Sequence, residues 1–166
     1  MKNFALNFFG KNIKDINQDD LTTYFAQPRR EADNLEFKSY PPTADFEKSL
    51  QKILKTVCAF LNSAGGMIIW GAPGGSRPNG ETEDIFTGNL LPVTTIKGQD
   101  WLINKISSSI SPMPKDIKIN IITIGTAAVY LIEVQESQFK PHQFENVYQI
   151  RLDGQNNPHP ITSSNP

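Results

Sequence analysis

Glu31, Glu36 and Lys38 fall within one short run, Glu31-Ala32-Asp33-Asn34-Leu35-Glu36-Phe37-Lys38. Two carboxylates that converge beside a lysine can hold a divalent cation such as Mg2+ or Mn2+ and stabilise charge on a phosphodiester. Convergence sets a condition on the backbone. Leu35 to Lys38 alternates apolar with charged and is stopped by Pro41-Pro42, which predicts a strand. Residues two apart share a face, so Leu35 and Phe37 point one way and Glu36 and Lys38 the other. Glu31 is an odd number of residues from Glu36 and must arrive from the preceding loop. A plainer reading uses the same residues: Glu36 and Lys38 as a weak pair on the polar face of a half-exposed strand. The pattern alone leaves both open.

The second group able to do chemistry is basic. Lys48, Lys52 and Lys55 recur at i, i+4 and i+7, a row that can track a phosphate backbone or simply be a solvated helix face. Arg29-Arg30 precedes Glu31, and Arg151 lies far downstream; guanidinium forks match phosphate oxygens. These six residues are the candidate nucleic-acid contacts. The glycine-rich stretch 71–80 invites comparison with a phosphate cradle. It lacks the Lys-Ser/Thr ending of a nucleoside-triphosphate loop, and no helix opens directly after it, so it reads as a surface loop.

The elements that must position these groups follow from periodicity. Asp19 and Asp20 can cap a short helix carrying Leu21, Tyr24 and Phe25. Phe46, Leu50, Ile53, Leu54, Val57, Phe60 and Leu61 share one face of a helix predicted over 45–63, with Gly65-Gly66 as its stop. Met67 to Trp70 is a continuous apolar strand of the kind buried on both faces. A helix is expected over about 99–110, and the runs 118–124 and 127–135 flank Gly125-Thr126 as a hairpin whose edge could pair a homodimer. Val147 to Leu152 is a last strand. Residues 1–18 read as an arm, 19–157 as the domain and 158–166 as a tail or linker. The order predicts an α+β single domain, a mixed β-sheet with helices packed on it.

At 166 residues the chain has the length of one domain. Its 38% hydrophobic and 20% charged residues exclude a disordered class, and its apolar runs are too short to span a bilayer. One lysine and an Asn-broken apolar stretch make the start a poor signal peptide, so cytoplasm is the default expectation. Cys58 is the single cysteine, expected as a buried hydrophobe, and no Cys/His spacing resembles a zinc site. Trp70 and Trp101 are expected in the core, with base stacking open to Trp70 as a strand-end residue. His142 and His159, near prolines, are expected in exposed turns. The net charge of -1 confines any phosphate-binding footprint to a local patch.

Several blocks, in order, resemble the Schlafen-type AlbA-like domain: Glu31-x-x-x-x-Glu36-Phe37-Lys38; Ala59 to Gly71 (AFLNSAGGMIIWG); Ile110-Ser111-Pro112; Val129 to Val134; Lys140-Pro141; and Tyr148 to Gly154. The resemblance covers residues 29 to 157. It implies a nucleic-acid-binding module, of DNA or RNA, often at the front of bacterial regulators or helicase-like proteins. In some animal relatives it implies a metal-dependent ribonuclease, whose two glutamate positions match Glu31 and Glu36. That site also uses an aspartate just after the Trp70-Gly71 strand end. Here the sequence reads Ala72-Pro73-Gly74-Gly75, with no acid before Glu81. Three functions compete: a nucleic-acid-binding regulator, a metal-dependent endoribonuclease using Glu31, Glu36 and Lys38, and a dimerising interaction module.

Overall fold

A run as apolar as Met67-Ile68-Ile69-Trp70 is stable only between two layers, and the fold supplies both. The computed structural model of the chain describes residues 1–152 and 154–160, with the side chains of all but the last two of these. In chain order the elements are α1 (Phe4–Phe9), a 3-10 turn (Ile13–Asp15), α2 (Gln18–Phe25), β1 (Leu35–Lys38), α3 (Phe46–Leu61), β2 (Gly66–Trp70), β3 (Gly75–Ser76), β4 (Ile85–Phe86), α4 (Gln99–Ser109), β5 (Ile110–Ser111), β6 (Ile117–Ile124), β7 (Ala127–Val134), β8 (Gln143–Phe144), β9 (Val147–Leu152) and β10 (Gln155–Pro160). The main sheet runs β1-β2-β7-β6 and is mixed, because β1 lies parallel to β2 while the other neighbours are antiparallel. A second, antiparallel sheet runs β10-β9-β8-β5, and β3 pairs with β4.

Strand alternation divides the core in two. Ile68, Trp70, Ala128, Tyr130 and Ile132 join Leu50, Ile53, Leu54, Val57 and Phe60 of α3 and Leu102 and Ile106 of α4. Leu35, Phe37, Met67, Ile69, Val129 and Leu131 face the N-terminal segment instead, with Phe4, Leu21 and Phe25. Gly65 links α3 to β2 with a φ of 79°, and a Cβ there would come within 2.6 Å of the Val134 carbonyl. A glycine is required by both the turn and the approach. Asp45 caps α3 by accepting from the Lys48 N–H, as its type suggests.

The arm expected over residues 1–18 is instead part of the fold. Phe4, Ala5, Ile13 and Ile16 are buried. Polar side chains of the sheet pin the segment: Glu133 accepts from the Ala5 N–H, Gln135 exchanges two hydrogen bonds with the Lys2 backbone, and Asn120 donates to the carbonyls of Ile13 and Ile16. The segment shows no period because it is one short helix and a 3-10 turn joined by bends. The proposed tail also differs, since residues 158–160 belong to β10; the rest of it lies outside the described residues. Among the described residues no helix is long and apolar enough to cross a membrane.

Truncating a packed residue of the N-terminal segment should therefore behave as core damage. Phe4→Ala is expected to cost about 3–5 kcal/mol, lowering Tm by at least roughly 6 °C for a chain of this size. A melting curve shifted by less than about 2 °C, as for a surface residue, would restore the arm.

Candidate functional site

Glu36 points away from the aromatic cluster around Phe37, as alternation requires, but it does not reach solvent. It is 4% exposed, and its two oxygens are both taken. Oε2 accepts from Arg151 Nη2 at 3.1 Å and Oε1 lies 3.2 Å from Lys38 Nζ. Arg151 comes from β9, with its side chain 1% exposed. Its Nη2 also donates to the carbonyls of Ala32 and Leu35, Nη1 donates to Asn156 Oδ1, and the guanidinium lies over the Phe60 ring. Among the described residues its Nε has no hydrogen-bond partner. The guanidinium expected to meet a ligand thus faces inward and ties β9 to β1 across α3.

The other arginines also have intramolecular roles. Arg29 stacks on the Tyr24 ring at 3.9 Å and donates from Nε to the Tyr24 carbonyl, while its backbone pairs with Phe86. Burial pushes the Tyr24 phenol up, and the Arg29 charge opposes that shift. Arg30 is exposed and pairs with Glu81 at 2.9 Å and more loosely with Glu83. The glycine-rich loop is tied down by these contacts, by Arg77 to Asp84 and by the β3–β4 pairing.

The structure does bring one set of candidates together. A cleft of about 460 Å³ opens between the solvent side of α3 and the β3–β4 hairpin. Lys48 and Lys52 stand on the α3 side, Lys38 and Ser39 at the end of β1, and Glu31 and Asp84 on the hairpin side. Lys48, Lys52 and Lys55 are exposed and, among the described residues, form no ion pair. Lys55, one turn further on, does not line the cleft, and neither do Glu36, Arg29, Arg30 or Arg151. The shared concave surface is therefore lined by lysines, not arginines.

The carboxylates do not suit a divalent cation. Such an ion needs free oxygens, but both oxygens of Glu36 already hold cationic side chains, and Glu31 Oε2 stands 4.0 Å from Arg151. Among the described residues no three His, Cys, Asp or Glu side chains gather closely enough to hold a metal. Ala72, where an acid was looked for, is fully buried against the N-terminal core, so a carboxylate there would lose its hydration. Mg2+ or Mn2+ at Glu31 and Glu36 would have to displace the Lys38 and Arg151 contacts of Glu36.

Other placements also differ from the sequence reading. His142 is 1% exposed, not in an open turn; Nδ1 donates to the Pro112 carbonyl and Nε2 meets Ser137 Oγ. Asn62 caps α3 and reaches across to the backbone of His142 and Gln149, which fastens the second sheet. No local signal marks these cross-sheet contacts, because they are met only across long sequence separations. Trp70 is 1% exposed, stacks on Phe46 and donates to Ser49 Oγ, so it is closed to bases. Trp101 packs against the core and Cys58 is buried, as expected; burial pushes the Cys58 thiol up. The side chain of His159 lies outside the described residues.

Among solved structures, the DIP2311 protein of Corynebacterium diphtheriae is similar at 17% identity and a TM-score of 0.48, over 76% of this chain. The chain spans only 22% of that protein's length. The N-terminal domain of a RecG-related protein of Nitrosomonas europaea is similar at 15% identity and a TM-score of 0.47, covering 91% of this chain and 92% of that one. No curated protein matches. The model of one family, described as Schlafen, AlbA_2, matches residues 31–160, a stretch that runs from Glu31 through the cleft lysines to the end of β10. On that match, which takes in well over half of its length, the chain belongs to the Schlafen, AlbA_2 family.

Proposed function

We propose that this domain binds a single strand of nucleic acid in the cleft between α3 and the β3–β4 hairpin, with Lys38, Lys48 and Lys52 on its phosphates. The observation that carries the reading is the cleft itself: exposed, unpaired lysines one helical turn apart border a concavity of about 460 Å³. That volume lies within the roughly 300–1,000 Å³ range of ligand sites. Family membership supports a nucleic-acid-related role. The balanced net charge does not oppose it: Glu36 is neutralised inside, Glu81 and Glu83 answer Arg30, and of the acids that line the cleft Asp45 caps α3 while Glu31 and Asp84 stand across from Lys48 and Lys52. The buried Glu36–Arg151 pair serves architecture. No cleavage step is assigned to Glu31 or Glu36.

Removing two phosphate contacts should weaken binding and flatten its salt dependence. Lys48→Ala combined with Lys52→Ala is expected to lower affinity for every sequence and to reduce the slope of log K against log salt by about 1.4, at about 0.7 per contact on a single strand. Both sites are exposed helix positions where alanine is well tolerated, so the fold should hold. Titrations in which the slope stays the same would remove the lysines from the interface.

Glu36 should report on stability rather than on metal. Glu36→Ala leaves the buried Arg151 charge without its hydrogen-bonded carboxylate, with only Glu31 at 4.0 Å, at a cost of about 3–5 kcal/mol, or roughly 6–20 °C in Tm. Millimolar Mn2+ should leave the wild-type Tm unchanged. A Mn2+-dependent rise that vanishes in Glu36→Ala would show that the carboxylates hold an ion after all.

A further inference from the structure

The two sides of the cleft are chemically unlike, and the difference bears on which bases it accepts; this step rests on the nucleic-acid reading above. On the α3 side Lys48 and Lys52 outnumber the capping Asp45, whereas Glu31 and Asp84 present carboxylates from the hairpin side. Phosphates are repelled from the acidic side, so a strand lies with its backbone toward α3 and its bases toward the hairpin. We propose that Glu31 and Asp84 select bases that present an exocyclic amine at that side, cytosine over thymine or uracil.

The chemistry is directional. Cytosine carries an N4 amine that donates to a carboxylate, and adenine offers its N6 amine in the same way. Thymine and uracil carry O4 at the position of that amine, an acceptor that would face another acceptor. The Asp84 carboxylate is also held in place. Arg29 and Phe86 exchange backbone hydrogen bonds of 2.9 and 2.8 Å, which fixes the strand two residues beyond Asp84. Asp84 Oδ1 lies 3.3 Å from Arg77 Nε, which orients the carboxylate. Glu31 Oε2 stands 4.0 Å from the buried Arg151, within its field but beyond hydrogen-bond distance.

Binding of the full chain to labelled oligo(dC) and oligo(dT) of equal length, across a salt series, tests this. The expected result is about tenfold tighter binding of oligo(dC), the scale of one good base-edge contact. Glu31→Ala with Asp84→Ala should abolish the preference chiefly by tightening oligo(dT), with the salt slope set by the lysines unchanged. The milder, nearly isosteric Asp84→Asn should reduce the preference without altering the melting temperature. Equal, salt-dependent binding of both oligomers by the wild type overturns base selection and leaves phosphate binding standing. A preference that survives the double variant overturns the assignment to these carboxylates. Retention of neither oligomer, even at low salt, overturns both readings.

Discussion

The ion pair between Glu36 and Arg151 sets the terms for the rest of the molecule. A guanidinium that is 1% exposed is tolerable only beside a complementary charge, and its neighbour must sit at one register of β1. A slip of one residue would aim Glu36 into the Phe25–Phe37–Phe86 cluster and turn Phe37 toward the guanidinium. The pair thereby locks strand register. It also closes the second sheet: Arg151 extends from β9 past Phe60 of α3 to the carbonyls of Ala32 and Leu35, so three elements distant in sequence meet at one charge.

That closure sorts the remaining charges. With Arg151 spent internally and Arg29 stacked on Tyr24, the cations left facing solvent on the cleft are lysines. Lysine is a compact point charge on a flexible stem, suited to following a backbone and not to fixing one phosphate by a bidentate fork. On the reading proposed above, such lysines tolerate variation along a phosphate backbone, and discrimination falls to Glu31 and Asp84. A net charge of -1 reflects this division and is no measure of the field in the cleft.

The main elements were legible because their periods are strong. Seven apolar positions at helical spacing gave α3, a four-residue apolar run gave β2, and Gly125-Thr126 between two β-branched runs gave the β6–β7 hairpin. Alternation in Leu35 to Lys38 correctly put Glu36 and Lys38 on one face. Alternation says only which way a side chain points, not what covers that face, and here a strand more than a hundred residues downstream covers it. The N-terminal segment failed for a related reason. Its order comes from Glu133, Gln135 and Asn120, whose hydrogen bonds span over a hundred positions and leave no local trace. The cleft was half legible: the lysine row was visible in the helix, whereas the position of Asp84 opposite it depends on a two-residue strand pairing too short to carry a pattern.

Charge arithmetic explains why a glutamate pair of this spacing need not be a metal site. Glu31 and Glu36 together supply two negative charges, and Arg151 and Lys38 already supply two positive ones at 3.1 to 4.0 Å. A divalent ion in the same space would leave an excess of two positive charges in a partly dry setting, where such an excess is poorly screened. A third carboxylate after β2 would ease that imbalance, but the chain places Ala72 there, packed among apolar side chains, and sends its next acids out along the hairpin. One carboxylate can be neutralised by a guanidinium or by a metal, and in this structure Arg151 of β9 neutralises Glu36. What the arrangement leaves between the buried pair and the cleft is Glu31 and Lys38: both line the cleft, Glu31 at 4.0 Å from Arg151 and Lys38 at 3.2 Å from Glu36.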